Sequence, residues 1–151
     1  MIKILFVCHG NICRSPMAEF CMKDLIKKMG IADCFEIASA ATSTEEIGNP
    51  VYPPARKTLR EHDIDCTGKT ARQMTKADYE YYDYIIAMDR FNLKNMKRFV
   101  GDDIDNKVSL LMSHTARPGD VADPWYTGDF DKTWEDVLEG CKCILDELNA
   151  R

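Results

Sequence analysis

The chain has 151 residues, of which 45% are hydrophobic and 30% charged, with a formal net charge of −5. That size suits one compact domain, residues 1–151, with a core that needs no staples, and the composition excludes collagen-like and low-complexity disordered chains. The negative balance argues against nucleic acid, whose binders carry a basic face that releases counterions.

The first apolar run, Ile4 to Cys8, is far short of the roughly 20 residues a bilayer span needs. No signal-peptide pattern precedes it, so no membrane partner and a cytoplasmic location are expected. Seven cysteines, an odd number at irregular spacing, fit free thiols in a reducing compartment better than a disulfide framework. His9, His62 and His114 are scattered, and neither CxxC nor HExxH occurs, so no metal and no other cofactor is expected.

Residues 2–7 are apolar apart from Lys3, as in a strand covered on both faces of a parallel sheet. Ala18, Cys21, Met22, Leu25, Ile26 and Met29 then form one stripe of a helix that stops at Gly30, with Pro16 suited to its first turn. The alternation repeats: FEIASAA reads as strand, residues 54–61 as helix, YDYIIAM as strand, 91–99 as helix and KVSLLM as strand. Tyr79, Tyr81, Tyr82 and Tyr84 read as the approach to a strand and as surface. Trp134, Val137, Leu138, Cys141, Ile144, Leu145 and Leu148 keep a 3.6-residue period in the last helix, where Cys141 and Cys143 fall on different faces. This order predicts an α/β fold, a single doubly wound, four-stranded parallel sheet with helices on both faces.

Such sheets bind ligands where loops converge at the carboxyl ends of the strands. The stretch FVCHGNICRSP occupies that place, and the loops SAATSTEEIGNPVYPP and SHTARPGDVADPWYTGD should open on the same edge. Cys8 ends the strand and Ser15 with Pro16 opens the helix, so the residues between them can curl with N–H groups inward. The positive end of a helix with unpaired donors accepts an oxyanion. Gly10 permits close approach and Asn11 tolerates a left-handed backbone. Arg14 supplies a planar fork for two phosphate oxygens. The helix end, the arginine and the Ser15 hydroxyl all favour a thiolate at Cys8, so the field that holds the anion also arms a nucleophile. The nucleotide-binding pattern GxxxxGK[ST] is absent.

VCHGNICRSPMAE resembles the phosphate-binding loop of the low-molecular-weight protein tyrosine phosphatases. The likeness extends along the chain through SAATS at 39–43, ARQ at 71–73, YDYIIAMD at 82–89 and DPWYTGD at 123–129. It implies a cysteinyl-phosphate intermediate, with Cys8, Arg14 and Asp123 as catalytic residues and His9, Gly10, Asn11, Ile12, Cys13, Ser15, Trp125 and Tyr126 around the substrate. Phosphotyrosine proteins are the expected partners, phosphate or a similar oxyanion the expected loop ligand, and the chain a monomer or weak dimer. Expelling a phenolate, whose conjugate acid has a pKa near 10, needs a proton donor. The resemblance assigns that role to Asp123, which from the sequence alone equally reads as a turn leading into a helix.

Where many relatives place an aromatic residue on the opposite wall, this chain has Glu45. Either Tyr52 substitutes or the pocket is more open and more acidic. Ile12 resembles the tyrosine-directed branch, since relatives acting on phosphoarginine carry threonine there. Cys13 resembles a second cysteine that can pair with the nucleophile on oxidation, or it is a small apolar filler. Asn11, Ser15 and Ser39 resemble a set that holds the loop, with Arg72 and Asp89 as supports and Lys69 where many relatives have histidine. His9 directly follows Cys8 and is expected to point away from the sulfur. Two rivals stand beside this reading: an arsenate reductase, which needs two further relay cysteines where residues 67–140 have none, and a non-catalytic phosphate binder, which needs neither nucleophile nor acid.

Overall fold

A computed structural model describes residues 1–149. Four strands, β1 (Ile2–Cys8), β2 (Phe35–Ala41), β3 (Tyr84–Ala87) and β4 (Val108–Leu110), form one sheet in the order β2-β1-β3-β4. All three pairings are parallel. The central strand explains the apolar run at the N-terminus. Ile4, Phe6 and Cys8 face one core and Leu5 and Val7 the other, and Ile4 to Val7 are fully buried.

Helices cover both faces, as the alternation of elements predicts. Helix α1 (Arg14–Lys28), α2 (Pro53–Glu61) and α6 (Phe130–Asn149) pack on the Ile4/Phe6 side, where Met17, Met22, Leu59, Val137 and Cys141 join the cluster. Gly140 lets α6 come close: a Cβ there would lie 2.5 Å from Leu111 Cγ. The other face carries α3 (Lys76–Tyr81) and α4 (Arg90–Val100), with Tyr82, Met96 and Leu93 against Leu5 and Val7. A short α5 (Pro124–Thr127) lies in the loop before α6.

The structure corrects three local expectations. The tyrosine-rich segment is not only an approach to a strand: Lys76–Tyr81 is helical, started by a capping box in which Thr75 and Asp78 satisfy each other's backbone donors, a T-x-x-D signal legible in the sequence. Strand β3 is correspondingly shorter than YDYIIAM. Strand β4 ends at Leu110, because Leu111–His114 tightens into a 3-10 turn that turns Leu111 and Met112 into the core. No helix among the described residues is long and apolar enough to cross a membrane.

Because β2 and β3 flank β1 on opposite sides, the chain reverses direction across the sheet at β1. A crevice opens beyond the carboxyl end of that strand, the switch point where open α/β sheets hold ligands.

Candidate active site

The six residues between β1 and the second residue of α1 make the floor of this crevice. Cys8 closes the strand, paired in register with Ala41, and the backbone turns at Asn11, which takes a left-handed φ of 60°. Among the described residues, no acceptor is found for the backbone N–H groups of Gly10, Asn11, Ile12 or Cys13. The first turn of α1 adds its own free donors, so the loop is a concave set of amides.

Asn11 holds that shape from beneath. Its side-chain amide donates to Ser15 Oγ at 2.8 Å and Ser39 Oγ at 2.9 Å, while Oδ1 accepts from the Arg72 N–H at 3.2 Å. Ser15 Oγ lies 3.0 Å from Cys8 Sγ. Ser39 passes the chain on, donating to Glu19 Oε1 at 2.6 Å. Glu19 is buried and also meets Lys23 and Lys69, and Lys69 donates to the Ser39 carbonyl at 3.0 Å. Burial pulls Lys69 below its ordinary value, and its pairing with Glu19 opposes that pull.

Arg14 is the first residue of α1 and its side chain is nearly fully buried. Nη1 is committed to positioning, donating to Asp89 Oδ2 at 2.6 Å and to the Val121 carbonyl at 2.9 Å. Nη2 has only a 3.4 Å contact with Asp123 Oδ2, and among the described residues Nε finds no acceptor. The Nε–Nη2 edge is thus free to grip two oxygens of a tetrahedral anion. Burial opposes the guanidinium charge, but the nearby Cys8 sulfur and the Asp89 hydrogen bond outweigh it and raise Arg14 above its ordinary value.

Asp123 caps α5, its Oδ1 accepting the Trp125 N–H at 3.0 Å while Oδ2 turns toward Arg14. The turn that leads into a helix and the carboxylate over the loop are therefore the same residue. Pro124 at the first helical position stiffens the turn.

These parts enclose a cleft of about 410 Å³ lined by Cys8, His9, Gly10, Ile12, Cys13, Arg14, Glu45, Glu46, Asp123, Trp125 and Tyr126. Asn11 and Ser15 are absent from this lining, and both side chains are buried under the loop. The question left by Glu45 is answered on the acidic side. Tyr52 does not line the cleft but packs its ring 4.8 Å from that of Trp125. Glu45 and Glu46 stand on the wall instead. Glu45 holds His9, Nε2 to Oε2 2.9 Å, so His9 sits at the mouth with its ring turned to the rim.

Burial, with the neighbouring Cys8 sulfur and Asp123 carboxyl adding to it, pushes the Cys13 thiol far above its ordinary value, so Cys13 sits near Cys8 as a neutral S–H. The seven cysteines are all free. Among the described residues, no group of three or more His, Cys, Asp or Glu is arranged to hold a metal. Glu46, Glu19 and the Val121 carbonyl were not anticipated. Glu19 had a signal, since it lies four residues after Ser15 on the same helix face.

The model of the low molecular weight phosphotyrosine protein phosphatase family matches residues 3–151. The chain belongs to that family. It is 37% identical over 147 residues to the low molecular weight protein-tyrosine-phosphatase YfkJ of Bacillus subtilis, covering 96% of this chain and 94% of that protein. The YfkJ crystal structure superposes with a TM-score of 0.95, at 99% coverage of this chain and 96% of that one. SP-PTP, a low molecular weight protein tyrosine phosphatase from Streptococcus pyogenes, is 43% identical with a TM-score of 0.87, covering 98% and 93% of the two chains. Wzb of Vibrio vulnificus, solved in complex with benzylphosphonate, is 25% identical with a TM-score of 0.84, covering 97% and 98%.

Proposed function

We propose that this protein tyrosine phosphatase hydrolyses phosphotyrosine and small aryl phosphates through a Cys8 phosphoenzyme. The whole chain acts as a single domain, needs no cofactor, and works as a monomer or weak dimer. Seven free thiols suit a reducing, cytoplasmic setting. The observation that carries the reading is a sulfur, the free edge of a guanidinium and a carboxylate facing one cleft at the mouth of an amide-rich loop.

The loop amides and the Arg14 Nε–Nη2 edge bind the three non-bridging oxygens and gather the charge that spreads over them during transfer. Cys8 Sγ attacks phosphorus in line. The S–P bond forms as the P–O bond to tyrosine breaks, and the Asp123 carboxyl gives its proton to the departing phenolate oxygen. Ser15, 3.0 Å from the sulfur, can donate to it when it leaves. In the second half, Asp123, now a carboxylate, takes a proton from water as that water attacks phosphorus. The S–P bond breaks, phosphate departs and Asp123 is a carboxylic acid again. Trp125 and Tyr126 flank the phenyl ring. Benzylphosphonate, the ligand of the Wzb complex, joins an aryl ring to a tetrahedral anion, which supports this division of the cleft.

The test is turnover of phosphotyrosine, phosphoserine and phosphoarginine peptides side by side, with trapping of a phosphorylated cysteine by rapid denaturation. Wild type is expected to prefer phosphotyrosine, and Cys8→Ser to lose turnover while keeping phosphate affinity. Unchanged turnover in Cys8→Ser would refute the mechanism. Reduction of arsenate with thioredoxin in place of phosphate release would replace the phosphatase assignment.

A further inference from the structure

On the far side of Arg14 and Asp123 a second groove, of about 450 Å³, runs between the start of α4 and the Val121–Tyr126 segment. It is continuous with the catalytic cleft: His9, Arg14, Asp123 and Tyr126 line both. Its outer rim is aromatic. Phe91 is 72% exposed and Tyr126 84%, so the start of α4 and α5 together present apolar surface along this groove.

The groove also contains carboxylates, and their state decides what it can take. Asp89 is occupied by Arg14 Nη1 and the Asn92 N–H. Asp120 accepts from the Arg90 backbone N–H at 3.1 Å and faces its guanidinium at 3.4 Å. Asp123 caps α5 and faces Arg14. Each carboxylate is answered within the chain, which leaves no bare acid for a lysine. Beside the exposed Asn95 amide, the groove offers the apolar surface of Phe91 and Tyr126.

We propose that this groove is a subsite for a large apolar side chain of the substrate polypeptide, within two residues of the phosphotyrosine. The proposal rests on the phosphatase reading above. Only the shared residues separate the groove from the cleft, and extended chain advances about 3.3 to 3.6 Å per residue, so one or two residues carry a peptide across the ridge. The occupant is a leucine, isoleucine, phenylalanine or tyrosine lying against Phe91 and Tyr126, while the phosphotyrosine is held by the loop.

The experiment compares kcat/KM for phosphotyrosyl peptides in which each of the two positions on either side is glycine or leucine, using wild type, Phe91→Ala and Phe91→Leu. Turnover of p-nitrophenyl phosphate, which is too small to enter the groove, reports intact chemistry. At one flanking position, leucine is expected to exceed glycine by about tenfold in wild type, within the range of apolar-pocket discrimination. The preference should fall below about twofold in Phe91→Ala and persist in Phe91→Leu. Equal rates for all peptides in wild type, or a preference that survives Phe91→Ala, would remove the subsite and leave the phosphatase. Absence of turnover on every peptide and on p-nitrophenyl phosphate in wild type would remove both.

Discussion

Replacing Asn11 by alanine is the sharpest test of how the phosphate loop is held. The substitution removes three hydrogen bonds: those to Ser15 Oγ and Ser39 Oγ and the one from the Arg72 N–H. Ser15 and Ser39 keep other neighbours, Cys8 and Glu19, so those two losses come to about 1 kcal/mol each, whereas the Arg72 N–H is left without its acceptor at about 1–3 kcal/mol. Alanine must also adopt the φ of 60°, worth about 1–2 kcal/mol of strain that asparagine tolerates better. The expected destabilisation is about 4–7 kcal/mol, read by urea denaturation, with a melting temperature about 8–28 °C lower. The kcat/KM for p-nitrophenyl phosphate should fall about 10²-fold, as for a misplaced reacting group. Asn11→Gly separates the two causes. It loses the same bonds without the strain, and after allowance for the greater entropy of unfolded glycine it should be about 0.5–1 kcal/mol more stable than Asn11→Ala. A loss below about 1 kcal/mol in the alanine variant, or a glycine variant less stable than it, would refute the reasoning.

Asp123→Ala is expected to slow aryl phosphates with poor leaving groups by about 10²- to 10⁴-fold and those with good leaving groups much less; equal slowing across a leaving-group series would remove Asp123 from the acid role. The buried thiols set an alkaline limit. Burial raises Cys13 and, aided by the neighbouring Cys21, Cys141 above the ordinary value of 9.0. The native chain then keeps protons that the unfolded chain releases, so stability present below pH 9 is lost as pH rises, by about 1.4 kcal/mol per pH unit for each thiol. Denaturation between about pH 9.5 and 10.5 under reducing conditions should show Cys141→Ala with a slope shallower by about that amount; a slope identical to wild type would sink the attribution.

Much of the fold was legible because it is written in local periods. The apolar run of β1, the stripe of α1 and the 3.6-residue repeat of α6 need no knowledge of partners, and the Cys-x5-Arg-Ser spacing between a strand and a helix places the anion site directly. What escaped was decided by pairs distant in sequence. Asp89 and Arg14 are 75 positions apart and Arg14 and the Val121 carbonyl 107, so no spacing announces that half of the guanidinium is spent on positioning. The same holds for the Glu19–Lys69 pair and for Glu46, whose place on the wall depends on the path of the β2–α2 loop. Helix α3 was different: Thr75 and Asp78 carried its start signal, but the tyrosines that follow favour strands and masked it. Cys141 and Cys143 divide as their spacing requires, the first buried and the second half-exposed.

The clamp on Arg14 ties together three distant parts of the chain: the start of α1, the residue that caps α4 and the segment before α5. A partly folded molecule that has lost β3 and α4 keeps the CHGNICRSP segment but no longer aims its guanidinium. Catalysis is therefore a reporter of the complete sheet, and residual turnover in denaturant should track the loss of global structure in a single transition.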